Sequence, residues 1–196
     1  MKAPIAQVHP GRPRDARLDE ALLTSALEVF LDNGYSTTTF SEVARRAGVG
    51  TPAIYRRWPN KAAMAIDVFI REMGETPIPD TGSIREDLIE FLRFRLRQWR
   101  TPIFHQVVLP LLMEGLADPA VERALGGRFV AYRKPLADRI RRACDAGQLR
   151  SQVDPTRLLD LVMGTVAMPL LFDQPLPEES EAESIVDQVL LGLTPR

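Results

Sequence analysis
Histidine and cysteine are almost missing from this chain. Its 196 residues include two histidines, His9 and His105, and one cysteine, Cys144. A single cysteine cannot close an intramolecular disulfide, so a reducing cytoplasm is the expected compartment. No H-E-x-x-H, no metal-spaced Cys/His set and no Gly-rich phosphate loop occurs. The chain is therefore expected not to be an enzyme: no catalytic residue, metal or cofactor is assigned. Long hydrophobic runs are also missing. The best candidate, 158–172, is broken by Asp160, Thr165 and Pro169, short of the roughly 18 apolar residues that a membrane span requires. The first ten residues contain no apolar core of the secretory kind, and no membrane partner is expected. Alternating strand patterns, internal repeats and low-complexity tracts are absent too, which removes the common β architectures.

What remains is helical periodicity. Apolar residues make up 45% of the chain, ordinary for a buried core. Leu18, Ala21, Leu22, Ala26, Val29 and Phe30 recur every three or four positions, which places them on one helix face. Asp15 can cap this helix and Asn33-Gly34 can end it. Thr39 and Glu42 have capping-box spacing before a short helix at 40–47, stopped by Gly48. A third short helix is expected over 51–58, with Pro52 in its first turn and Pro59 after it. Asn60 caps a fourth, carrying Ala62, Ile66, Phe69, Ile70 and Met73 inward. Gly74 to Gly82, rich in proline and glycine, reads as a linker. Ser83 with Glu86, then Asp118-Pro119 and Asp154-Pro155, start further helices. Pro135 bends the one that Gly147 ends, and the last covers 181–193. The fold class is all-α, with about nine helices: a three-helix domain with a helix-turn-helix, and a larger helical domain.

Charge is nearly balanced overall, at −1, but unevenly placed. Residues 1–66 hold nine Lys and Arg against six Asp and Glu, while the remainder is net acidic. The basic end contains two short helices joined by a Gly-containing turn, the shape of a helix-turn-helix. Val43, Ala44 and Ala47 give its first helix a small apolar face, Val49 fills the turn, and Ile54 and Trp58 pack the second helix inward. Thr51, Pro52, Ala53, Tyr55, Arg56 and Arg57 are left outward, a mixed face suited to a major groove.

The stretch V-A-x-x-A-G-V-x-x-x-x-I-Y-x-x-W-x-N-K, Val43 to Lys61, preceded by a long helix ending Asn33-Gly34-Tyr35, resembles the TetR family of bacterial regulators. The resemblance covers residues 15–66, and beyond them only helix number and length agree. It implies a DNA-binding transcriptional regulator in the bacterial cytoplasm, associated with the nucleoid when bound. Thr39 and Ser41 would start the supporting helix over the backbone, and Thr51, Pro52 and Ala53 would face bases. Tyr55 would contact a phosphate, and Arg56 and Arg57 a phosphate or guanine. Lys61 would hold another phosphate at a helix N-terminus. Ala53, Arg57 and Gly50 stand where many members carry a hydroxyl, an aromatic and a serine, so no operator sequence can be borrowed. The arginines can equally form a solvated helix face, and Tyr55 can equally pack. Arg12 and Arg14 lie in a Pro-stiffened arm that suits an A·T-rich minor groove or is a disordered tail.

The implied organisation is a flexible basic arm at 1–14, the DNA-binding domain at 15–74, and a ligand-binding and dimerisation domain at 75–196. The implied partners are double-stranded operator DNA, a second copy of the chain and a small-molecule inducer of unknown identity. The function implied is that of a repressor released from a palindromic operator by that ligand, with a ligand-independent regulator or an activator of the same fold as the alternative. Candidate dimer residues are Leu158, Leu161, Val162, Thr165 and Met168 on one helix, with Val186, Val189, Leu190 and Leu193 on the last. The other reading puts these stripes in the subunit's own core. Candidate pocket residues are Phe94, Trp99, Phe104, His105, Met113, Phe129, Met163 and Phe172, which at helical spacing also suit plain core. Arg93, Arg95 and Arg97 alternate along one helix and so point to different faces; a solvated face is expected for them, with a salt bridge from one of them to an acidic ligand as the other reading.

Overall fold
The hydrophobic periodicity resolves into helices throughout a computed structural model that describes residues 16–73, 79–172 and 174–194. The expected cap Asp15, the arm with Arg12 and Arg14, and most of the linker lie outside these. The first helix, α1 (Ala16–Asn33), ends where Gly34 takes φ 78°, a conformation without penalty only for glycine. Thr39 accepts the Glu42 N–H and caps α2 (Phe40–Arg46), while the Glu42 carboxylate turns to Arg45 instead of closing the box. Helix α3 (Thr51–Tyr55) is shorter than the 51–58 expected. Asn60 Oδ1 accepts from the Ala63 N–H and caps α4 (Lys61–Met73). Here the inward face is wider than the periodicity indicated: Met64, Ala65 and Val68 are buried beside Ala62 and Ile66, and Ile70 is exposed.

The second half begins with α5 (Ile84–Trp99), capped by Ser83. It is followed by a π-helical turn over Phe104–Val108 that runs straight into α6 (Leu109–Ala117). Neither had a clear sequence signal. Helix α7 (Pro119–Asp145) contains Pro135, and α8 (Pro155–Leu171) starts on its Asp154 cap. A 3-10 turn at Glu179–Glu181 leads into α9 (Ala182–Leu190). Helix α5 packs on α9, and α7 on both α6 and α8.

Two apolar cores organise these helices. One gathers Leu22, Phe30, Val43, Ile54, Trp58 and Met64 from α1–α4 and extends to Ile103, Val107, Leu111 and Val121. The π turn and α6 thus pack into the core of the N-terminal helices. The other joins α5, α7, α8 and α9 through Leu88, Leu92, Leu136, Ile140, Val162 and Val186. It also buries charge. Arg139 of α7 pairs with the fully buried Asp87 of α5 at 2.6 Å and with Asp80 at 3.0 Å. The Thr81 backbone N–H and hydroxyl donate to the same Asp87 carboxylate at 2.8 Å each. Such a pair holds only when its hydrogen bonds replace lost water.

Candidate DNA-binding site and ligand domain
Helices α2 and α3 meet through a turn in which the Val49 N–H donates to the Ala44 carbonyl at 3.0 Å and Gly48 takes φ 67°. Both helices are short, so neighbours fix their aim. Arg46 reaches Asp32 of α1 at 2.7 Å, and the Trp58 indole donates to Asp67 of α4 at 2.8 Å. Phe40 of α2 meets the Tyr55 ring edge-on at 5.0 Å. That contact holds the base of a side chain that stays 60% exposed.

The outward face assigned to α3 divides. Thr51 is half-exposed, and Pro52, Tyr55 and Arg56 are exposed, as are Thr39 and Ser41 at the start of α2. Ala53 and Arg57 turn inward, a correction to the sequence reading. Ala53 is buried. The Arg57 Nε–H bonds Asp19 of α1, and its Nη1 donates to the Ala53 carbonyl at 3.0 Å. The five-residue α3 packs on α2, and Arg57 just beyond it ties its end to α1, so only its first turn and one further edge face outward.

Lys61 sits beside this face. Its Nζ donates to the Tyr35 carbonyl at 2.8 Å and the Ser36 carbonyl at 3.0 Å, and lies 4.4 Å from the centre of the Tyr35 ring. Partial burial pulls its pKa down, with Glu114 of α6 acting in the opposite direction. Tyr35 is almost wholly buried, and that burial, followed by Glu114, pushes its hydroxyl well above the usual tyrosine range. Sequence reasoning missed Tyr35 and Ser36. Their part is played by main-chain carbonyls, which no residue pattern announces.

The expected dimer stripes fall on both sides of their helices. Leu158, Val162, Val186 and Leu190 are buried in the subunit's own core, and Thr165, Val189 and Leu193 are half-buried. Leu161 and Met168 are exposed by 55% and 52%, and Leu171 and Phe172 continue the same exposed apolar edge at helical spacing. Helix α8 is apolar on two faces, and periodicity alone cannot say which one its own subunit covers.

The pocket candidates scatter as well. Trp99 stacks on the buried Phe104, with centroids 4.9 Å apart, and Phe94 and Met163 are half-buried. His105, Met113 and Phe172 lie on the surface, and the Phe129 side chain lies outside the described residues. Two concavities lie elsewhere, beside α9. The first, of about 330 Å³, is lined by Ser83, Ile84, Gln148 and Leu190 among others; the second, of about 520 Å³, by Ser184, Gln188 and Leu191 among others. Arg95 departs from the solvated face expected for it. It is 2% exposed, lies against the Phe91 and Phe94 rings at 5.1 and 5.4 Å, and bonds the Gln98 amide oxygen. Loss of hydration brings its pKa down to about 9. Among the described residues no cluster of His, Cys, Asp and Glu could hold a metal ion, and no helix is long and apolar enough to cross a membrane.

A braced helix-turn-helix with a polar, basic outer edge, joined to a larger helical domain, defines a DNA-binding regulator. Comparison with known proteins is specific about the kind. Residues 22–68 match the family of bacterial regulatory proteins, tetR family, and residues 78–189 match the tetracyclin repressor-like C-terminal domain. The chain belongs to the TetR family of transcriptional regulators. It is 29% identical over 185 residues to the HTH-type transcriptional regulator YdeS of Bacillus subtilis, covering 93% of each chain. Among solved structures it resembles the TetR family regulator SCO0332, with a TM-score of 0.74 and 29% identity over 91% of this chain and all of that one. The regulator FadR of Bacillus subtilis, solved in complex with stearoyl-CoA, shares the fold at a TM-score of 0.67 and 18% identity, over 89% of this chain and 98% of that one.

Proposed function
We propose that this regulator acts as a homodimeric repressor that leaves a palindromic operator when a small molecule binds its larger domain. The observation that carries the DNA half is the exposed edge of Thr51, Pro52, Tyr55 and Arg56 on α3, with Thr39 and Ser41 beside it on α2. Thr51 and Pro52, in the first turn of α3, are the base readers, Pro52 by apolar contact with a thymine methyl group. Arg56 contacts a phosphate or guanine, and Tyr55, Lys61, Thr39 and Ser41 contact the backbone. Arg57 keeps its place on Asp19 and acts by holding α3 against α1.

Two copies are required because one short helix reads few base pairs, and a dyad matches a palindrome. The exposed edge of Leu161, Met168, Leu171 and Phe172 on α8 supports this pairing, since large apolar side chains in one stripe favour burial against a like surface. The ligand half is supported by the acyl-CoA-bound structural neighbour and by the aromatic pair Trp99–Phe104 next to the π turn. Phe94 and Met163 complete the apolar side of this site. The buried Arg95 stands one helical turn from Trp99 and favours a ligand with an acidic group.

Fluorescence-anisotropy titration against the intergenic DNA upstream of the gene, with a scrambled duplex as control, tests the reading. Tight binding to the first alone, with two chains per site and affinity falling as salt rises, is the expected result. Equal weak binding to both removes that DNA as the operator.

A further inference from the structure
Proline at position 110 leaves one main-chain carbonyl without its helical donor. In an α-helix the carbonyl of residue 106 accepts the N–H of residue 110, and proline has none, while its ring crowds that carbonyl. Gln106 stands at the centre of the π turn Phe104–Val108. Its carbonyl accepts the backbone N–H of Tyr35, at 2.9 Å, from the loop between α1 and α2. The Tyr35 side chain is 1% exposed and stacks on Phe30, so the residue has little room to shift. The Tyr35 carbonyl, in turn, accepts from Lys61 Nζ, with the Ser36 carbonyl as second acceptor and the Tyr35 ring beneath. A lysine ammonium has three N–H donors. Two are spent on these carbonyls, with Glu114 of α6 near enough to act on the ammonium, and one N–H is left for a further acceptor.

We infer that Tyr35 is a positioning residue for DNA binding: it takes its place from the Gln106 carbonyl of the larger domain and fixes Lys61 for its phosphate contact. The inference rests on the reading of Lys61 as a phosphate-binding residue. It adds a route of regulation to that site. Phe104, the first residue of the π turn, stacks on Trp99. A ligand that displaces this ring pair acts on the turn that carries the Gln106 carbonyl. The lysine then loses its fixed direction, whether or not α4 moves.

The test uses full-length protein and a duplex selected by the wild type from a random pool. Pro110→Ala restores an N–H at position 110 and offers the Gln106 carbonyl a helical donor in competition with Tyr35. Three results are expected. Amide exchange at Tyr35 speeds up. Affinity falls several-fold, and the slope of log affinity against log salt drops by about two, one phosphate contact for each chain of the dimer, as it does for Lys61→Met. In the Lys61→Met background, Pro110→Ala costs nothing further. Unchanged exchange at Tyr35, wild-type binding by Pro110→Ala, or losses from the two substitutions that add would each overturn the proposal. A second pair of variants gives an independent reading. Tyr35→Leu removes the ring below the ammonium and should reproduce the drop in salt slope, whereas Tyr35→Phe keeps the ring and should bind like the wild type. A loss in Tyr35→Leu that persists undiminished in the Lys61→Met background contradicts positioning. Failure of the wild type to select any duplex overturns the DNA-binding reading itself, a different outcome.

Discussion

Asp19 on α1 accepts a hydrogen bond from Arg57, which lies just past the end of α3, across 38 positions of sequence. The guanidinium is mostly buried and the carboxylate partly so. This pair, with the Arg57 bond to the Ala53 carbonyl, ties the C-terminal end of α3 to the first helix. Asp19→Ala leaves the arginine without its anion and should destabilise the N-terminal helices by about 1–2 kcal/mol. Urea unfolding measures that loss. DNA affinity should fall in proportion to it, with the salt slope unchanged, because no phosphate contact is removed.

Arg56 is the opposite case. It is exposed on the same turn. Arg56→Ala should weaken DNA binding and lower the salt slope by about two, one contact for each chain of the dimer. Its unfolding midpoint should stay within the roughly 0.5 kcal/mol typical of surface substitutions. Anisotropy titrations at several salt concentrations, beside a urea melt, separate the two arginines.

On α8, Leu161 and Met168 point away from the subunit while Leu158 and Val162 point into it. Leu161→Glu with Met168→Glu should give a folded monomer in sedimentation velocity, with helical content retained and operator binding lost. A dimer that survives both substitutions moves the interface to another surface.

Asp87 and Arg139 bind α5 to α7 through a buried ion pair. Removing one partner strands a buried charge, so Asp87→Ala should cost about 3–5 kcal/mol. That is a large share of the stability of an ordinary domain, and it is read as a lowered urea midpoint. The surface pairs behave differently. Arg85 holds the Asp187 carboxyl below its ordinary range by hydrogen bonding, as Lys134 and then Arg141 do for Asp138 and Arg45 does for Glu42. A carboxyl with a depressed folded-state pKa stabilises the protein above its unfolded value, near 4, and that help is lost as pH falls through the folded value. The melting temperature should therefore drop as the pH goes below about 4, and Arg85→Ala should flatten part of that drop by releasing α9 from α5.

Much of the fold was legible because its signals are local. Thr39, Asn60, Ser83 and Asp154 each carry a cap that the structure uses, and Gly34 and Gly48 mark real helix ends. The π turn and α6 were silent because their start is defined by what Pro110 cannot donate and by a carbonyl bonded to Tyr35. The helix-turn-helix was readable as a motif, yet its exposed face was not. Arg57 is directed by Asp19 of α1, which lies far away in sequence, and Ala53 is buried beneath the turn that Arg57 closes. Which of the three arginines of α5 leaves the solvated face was hidden for a related reason: Arg93 is partly exposed and Arg97 exposed, and only the packing of α5 turns Arg95 inward. On α8 the pattern named the apolar residues correctly and could not divide them between the subunit's own core and its surface.

The most direct test of the account is selection of bound duplexes from a random DNA pool by the full-length protein, followed by sequencing. A dimer carrying two copies of the α3 edge should enrich an inverted repeat whose half-sites lie about one helical turn, roughly 34–36 Å, or a multiple of it, apart. Its binding should saturate at two chains or a multiple of two. A pool with no enriched repeat, or a single unrepeated motif bound by one chain, would contradict the claim that paired helix-turn-helices read an operator.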